Sequence, residues 1–166
     1  MSIMRHHVDL FLAPGQLTVQ TRALKIKTIV GSCVAVCLYD PQARIGGLNH
    51  YLLARPGPSD PADTRFGTCA MEQLVARMRQ AGARLPRLQA AVVGGGHPID
   101  LEHADRIGAE NVAVALAVLN AHHIRVVRQE TGGDHGRKLL FDTGTGELLV
   151  RRLRRGVGTF AWEPSR

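Results

Sequence analysis

Polar and apolar residues alternate along Leu24-Lys25-Ile26-Lys27-Thr28-Ile29-Val30, with Leu24, Ile26, Thr28 and Val30 on one side and both lysines on the other. That period of two predicts a half-buried strand with Thr28 pointing inward. Cys33 to Tyr39 is an almost unbroken apolar run rich in valine, which predicts a second strand. It ends at Asp40-Pro41, a turn signal, and a third strand is expected within Arg44 to Leu53. If these two strands pair antiparallel about a turn at Asp40–Arg44, Cys33 falls opposite His50.

Farther along, Met71, Leu74, Val75 and Met78 recur at helical spacing, which predicts a helix from Gly67 to Ala81 stopped by Gly82. A second amphipathic helix is expected over Ile107 to Ala121. Strands are expected at Leu88–Val93, at Ile124–Val127 and at Leu139–Phe141, the last forming a hairpin with Glu147–Leu153 around Asp142-Thr143-Gly144-Thr145-Gly146. Arg55 to Arg65, rich in proline and aspartate, reads as an exposed loop. Hairpins mixed with strand-helix-strand units predict mixed sheets covered by helices.

The chain has 166 residues, 45% of them hydrophobic, and reads as a single domain able to bury one sizeable core. Its N-terminal apolar stretch, Val8 to Ala13, is short and interrupted by Asp9, unlike a signal peptide or a membrane anchor. We expect a soluble cytoplasmic protein without membrane insertion. Three cysteines do not make a disulfide framework, and a reducing compartment suits them. A net charge of +7 favours an acidic partner. Aromatic residues are only 4%, and no helix-turn-helix or zinc-finger pattern accompanies the charge, so nucleic-acid binding is not expected.

Cys33 follows a Gly31-Ser32 turn, and His50 closes Gly46-Gly47-Leu48-Asn49-His50. A free cysteine is most often a small buried hydrophobe. Here the small residues before it would let a carbonyl approach and leave amide N–H groups for an oxyanion, which favours a nucleophile with His50 as its base. His50 alone would be a satisfied strand histidine. Cys37 and Cys69 read as core. Zinc held by Cys33, Cys37 and His50 is a weaker alternative, because the paired ligand spacing is missing. His6-His7 and His122-His123 read as solvated pairs, and Arg151, Arg152, Arg154 and Arg155 as a solvated strand end or an acidic-partner contact. Gly94-Gly95-Gly96 lacks the Lys and Ser/Thr of a phosphate loop and reads as a place for close backbone packing.

Together, Gly31-Ser32-Cys33-Val34-Ala35-Val36-Cys37-Leu38-Tyr39-Asp40, Gly46-Gly47-Leu48-Asn49-His50, Arg65-Phe66-Gly67-Thr68-Cys69-Ala70-Met71-Glu72, Ile107-Gly108-Ala109-Glu110-Asn111 and Thr131-Gly132-Gly133 resemble the CheD family of chemoreceptor glutamine deamidases. They run in family order from about residue 24 to residue 153. The resemblance implies a cysteine hydrolase that converts receptor glutamines to glutamate, on an α/β fold, a layered α/β sandwich of mixed sheets flanked by helices, similar to a bacterial toxin deamidase domain. It implies Cys33 as nucleophile, His50 as base and Thr28 as the third catalytic residue. Gly31, Ser32 and Asn49 are expected around the oxyanion and substrate, with no metal or cofactor. Methyl-accepting chemotaxis receptors would be the substrate, a glutamyl methyl ester a second one, and a CheC-type phosphatase a partner. The alternative is a non-catalytic module that docks on that phosphatase or on a receptor.

Overall fold

The computed structural model describes residues 7–99 and 103–154. Nine strands form two mixed sheets. The four-stranded sheet runs β1 (Leu10–Phe11), β3 (Lys25–Val30), β8 (Arg137–Asp142), β9 (Leu148–Arg152). The five-stranded sheet runs β2 (Leu17–Gln20), β5 (Ile45–Asn49), β4 (Val34–Asp40), β6 (Gln89–Gly94), β7 (Arg125–Thr131). Within them β1 and β3, and β6 and β7, are parallel, and every other ladder is antiparallel.

Helices α1 (Gly67–Gln80) and α2 (Ala104–Ala121) cover one face of the five-stranded sheet, and the four-stranded sheet covers the other. The layers follow from side-chain alternation. Along β4, Val34, Val36 and Leu38 pack against Met71, Leu74, Val75 and Met78 of α1 and Val114, Ala115 and Leu119 of α2. Ala35 and Cys37 point the opposite way, into a second core with Ile26 and Val30 of β3 and Leu139 and Phe141 of β8. A strand covered on both sides needs apolar residues at every position, which explains the unbroken run. On β3 the alternation is as predicted, with Ile26, Thr28 and Val30 buried.

The hairpin register departs from expectation. Asp40 pairs with Ile45, and the bridge beyond the ladder joins Val34 to Tyr51, so His50 lies level with Ala35 and not with Cys33. The cause is local. The buried Asp40 carboxylate accepts the N–H groups of Gln42 and Ala43 at 3.0 Å each, and Arg44 adopts φ 54°. That arrangement holds all of Pro41–Arg44 outside the ladder. A displacement of two residues preserves the face of every side chain, so Cys33 and His50 remain diagonal neighbours on the side facing β3.

Helix α1 ends as the sequence indicates. Gly82 at φ 109° turns the chain so that the Ala83 N–H reaches back to the Met78 carbonyl at 3.0 Å. Helix α2 begins at Ala104, three residues before the predicted Ile107. Residues 55–65 contain no strand or helix. Among the described residues no helix is long and apolar enough to cross a membrane.

Candidate active site

Thr28, His50 and the residues around Cys33 meet where the two sheets face each other. Thr28 sits on β3, His50 directly follows β5, and Cys33 directly precedes β4. The Thr28 hydroxyl lies 2.8 Å from the Leu12 carbonyl oxygen and 2.8 Å from Nδ1 of His50. A hydroxyl has one hydrogen, and a carbonyl can only accept. Thr28 therefore donates to Leu12, and His50 Nδ1–H donates to Thr28. This assigns the tautomer: Nε2 carries a bare lone pair.

That nitrogen is buried and has no hydrogen-bond partner among the described residues, although His50 is only 1% exposed. Burial drives its pKa down to about 4, so the ring is neutral near pH 7. The backbone of His50 is fixed as well. Its N–H donates to Gln16 at 3.1 Å and its carbonyl accepts from Gly15 at 2.7 Å. Leu12 and the Gly15–Gln16 turn thus hold both Thr28 and His50, a role that nothing in their residue types announces.

Cys33 is half-buried. Burial raises its thiol pKa, and its own backbone N–H works in the opposite direction. Burial thus keeps both the Cys33 thiol and the His50 ring neutral at rest, and the Cys33 sulfur is not a hydrogen-bond partner of Nε2.

Three main-chain bonds hold the turn that carries Cys33. The Gly31 carbonyl accepts from Gly96 N–H at 2.9 Å, the Ser32 carbonyl from Asn111 Nδ2 at 2.9 Å, and the Cys33 carbonyl from Gly95 N–H at 2.9 Å. The triple glycine is the reason this is feasible. A Cβ on Gly94 would stand 2.2 Å from the Cys33 carbonyl oxygen, and Gly94 and Gly95 have φ 119° and 63°. The segment packs backbone against the nucleophile turn. Gly31 is restricted too, since a Cβ there would meet Pro98 at 3.0 Å.

Asn49 is not placed to meet substrate. It is fully buried on the helix side, where Oδ1 accepts the Val36 N–H at 2.9 Å and Nδ2 points to the Ala70 carbonyl at 3.4 Å. Its amide replaces a ladder bond between β4 and β5, a structural role. Cys37 is buried between the sheets, and burial pushes its thiol strongly upward. Four residues along a strand put it about 13 Å from Cys33, too far to share a zinc ion. Cys69 is only half-buried, less enclosed than a core residue. His7 is exposed and His6 lies outside the described residues, while His122 is not simply solvated because its Nε2 lies 2.9 Å from Glu72. Arg151, Arg152 and Arg154 are exposed, and Arg155 lies outside the described residues. Asn111, fully buried on α2, was legible only as part of a family-like stretch.

A family model described as "CheD chemotactic sensory transduction" matches residues 52–152. That match starts just past His50 and does not include Thr28, Cys33 or His50. "Probable chemoreceptor glutamine deamidase CheD 1" of Anaeromyxobacter dehalogenans is 43% identical over 146 residues, 87% of this chain and 85% of that protein. "Probable chemoreceptor glutamine deamidase CheD" of Stenotrophomonas maltophilia (strain K279a) is 37% identical over 86% of this chain and 72% of its own length. The protein of the same name from Rhodospirillum rubrum is 36% identical over 89% of this chain and 84% of its own length. The solved structure of the Bacillus licheniformis hypothetical protein YfiH aligns at TM-score 0.46 and 15% identity over 71% of this chain and 51% of that one, which adds nothing to the strand order given above. By the family match and by identity along most of its length, this chain belongs to the CheD family.

Proposed function

We propose that this protein is a chemoreceptor glutamine deamidase, a cysteine hydrolase that opens the side-chain carboxamide of receptor glutamines. The observation that carries the reading is the Thr28–His50 contact, which leaves Nε2 bare on a ring buried on the side of the sheet where Cys33 also packs. A fully buried ring with one nitrogen fixed and the other vacant is a base held ready.

In the reaction His50 Nε2 takes the Cys33 proton as the thiolate adds to the carboxamide carbon. Because burial favours the neutral forms of both groups, proton transfer accompanies attack instead of preceding it. Backbone N–H groups of Ser32 and Cys33, with Gly31 leaving room, hold the oxyanion. The C–N bond breaks, nitrogen takes the His50 proton and ammonia leaves a thioester. Water then gives a proton to Nε2 and its oxygen to the acyl carbon, and cleavage of the C–S bond returns the proton to sulfur and releases glutamate. Thr28 accepts from Nδ1–H throughout and keeps the ring in its working tautomer.

A glutamyl methyl ester passes through the same tetrahedral geometry with methanol leaving, so a methylesterase side activity belongs to this reading. The family resemblance supports a CheC-type phosphatase as a regulatory partner, and the three free thiols suit the cytoplasm. Incubation with a receptor fragment tests the proposal. A gain of about one dalton at particular glutamines, matched by ammonia and absent with Cys33→Ala, is expected from replacing NH2 by OH. Unchanged receptor, with binding equally retained by the wild type and Cys33→Ala, would favour the docking module instead.

A further inference from the structure

We propose that Asn111 is a positioning residue for the reaction, one that aims the Cys33 N–H into the oxyanion site by holding the carbonyl of the same peptide from behind. The inference rests on Cys33 being an acyl-accepting nucleophile.

In a planar trans peptide the C=O and the following N–H point in opposite directions. Asn111 Nδ2 donates to the Ser32 carbonyl at 2.9 Å, so the Cys33 N–H is directed away from α2. The preceding peptide is held in the same manner, because the Gly31 carbonyl accepts from Gly96 N–H at 2.9 Å and the Ser32 N–H faces the other way. Released from these bonds, either peptide could rotate and present a carbonyl oxygen where negative charge develops.

The second hydrogen of Asn111 Nδ2 goes to the Leu52 carbonyl at 2.8 Å. One nitrogen thus joins the nucleophile turn to the chain just beyond His50. Only a primary amide offers two donors from one atom at this reach; an aspartate would present acceptors to two carbonyls. Asn111 is itself held firmly, fully buried and with its backbone carbonyl accepting the Tyr51 hydroxyl. Gly108, on the same face of α2, lets the helix come this close, since a Cβ there would stand 2.3 Å from the Gly95 carbonyl oxygen.

Two reactions of Cys33 separate an oxyanion role from a structural one. Iodoacetamide alkylation displaces iodide and forms no oxyanion. In acylation by p-nitrophenyl acetate the thiolate adds to a carbonyl, forms an oxyanion and expels p-nitrophenolate. Both are followed at Cys33 by peptide mass spectrometry in wild type, Asn111→Leu and Asn111→Asp. Asn111→Leu is expected to slow acylation about 10- to 100-fold while alkylation stays within about twofold. Asn111→Asp is expected to show the same deficit near neutral pH and to recover part of it as acid protonates the carboxyl and restores a donor. Equal loss of both rates, or no loss of acylation, would overturn the proposal. Should Asn111→Leu not fold, Asn111→Asp decides alone, and an acylation-to-alkylation ratio independent of pH would overturn it. A wild type acylated at Cys33 that releases no ammonia from any receptor glutamine would refute the deamidase reading and leave the result on Asn111 standing.

Discussion

Asn49 and His50 are adjacent and both are buried, yet they face opposite sides of the five-stranded sheet and lead different lives. On the helix side the Asn49 amide bonds Val36 N–H and approaches the Ala70 carbonyl and Met71 sulfur, and apolar packing surrounds it. On the sheet side His50 has one nitrogen bonded to Thr28 and the other bonded to nothing among the described residues. Folded proteins rarely leave a buried polar atom without a partner, because its desolvation is then uncompensated. The contrast teaches that burial of a polar residue does not by itself mark a site; what sets His50 apart from Asn49 is a ring with one nitrogen fixed by Thr28 and the other unpaired, although Asn111 Oδ1 and His135 Nε2 also lack partners among the described residues. The sheet side has an apolar core of its own, and there we propose the chemistry lies.

The contrast can be broken most sharply at the nucleophile. Cys33→Ala should lower receptor deamidation by about 10⁴-fold or more while the protein still melts cooperatively. Residual turnover near wild type, read by ammonia release, would move the chemistry elsewhere. The next effect is on stability. The pKa of His50 is about 4 when folded, against an ordinary value of 6.5 in the unfolded chain. As pH falls below 6.5 the unfolded chain takes up a proton that the native state refuses, so stability is lost between about 6.5 and 4 and is fully present above that window. The loss is about 3 kcal/mol by pH 4. Denaturant titration at pH 7.5 and pH 4 should show wild type losing that much more than His50→Gln, and parallel losses would remove the depressed pKa.

Thr28→Val keeps shape but removes the acceptor for Nδ1–H. It should lower kcat about 100-fold with KM little changed. A change confined to KM would make Thr28 a substrate contact. The smallest effect on chemistry is expected across the sheet. Asn49→Leu leaves the Val36 N–H unpaired and should cost about 2 kcal/mol of stability with kcat and KM within about twofold of wild type. A large rise in KM would restore Asn49 to the substrate site.

Legibility in the sequence follows the same divide. The alternation of β3 disclosed that Thr28 points inward, and the apolar run of β4 disclosed a strand, whose two covered faces emerged only in three dimensions. The helix-side core was legible from spacing alone, as Met71, Leu74, Val75 and Met78 show. The hairpin register was not, because it depends on where one carboxylate finds its N–H partners in the Asp40 turn. Strands β1 and β2 escaped notice because they are only 2 and 4 residues long, β1 exposed and β2 only partly buried. Leu12, Gln16 and Asn111 act on the site through a backbone carbonyl, a backbone acceptor and a side-chain donor reaching across the fold. Such long-range contacts leave no periodic trace. The three glycines after β6 left one, a capacity for close approach, but their partner, the Cys33 turn, became evident only in three dimensions.

The central claim is that His50 stands as a neutral ring with hydrogen on Nδ1 and an open Nε2. Nitrogen-15 NMR of the imidazole, titrated with pH, tests this most directly. The account predicts a protonated Nδ1 and an unprotonated Nε2 from neutral pH down to about pH 5, with ring protonation only near 4. Hydrogen on Nε2, or an imidazolium already present at pH 7, would contradict it.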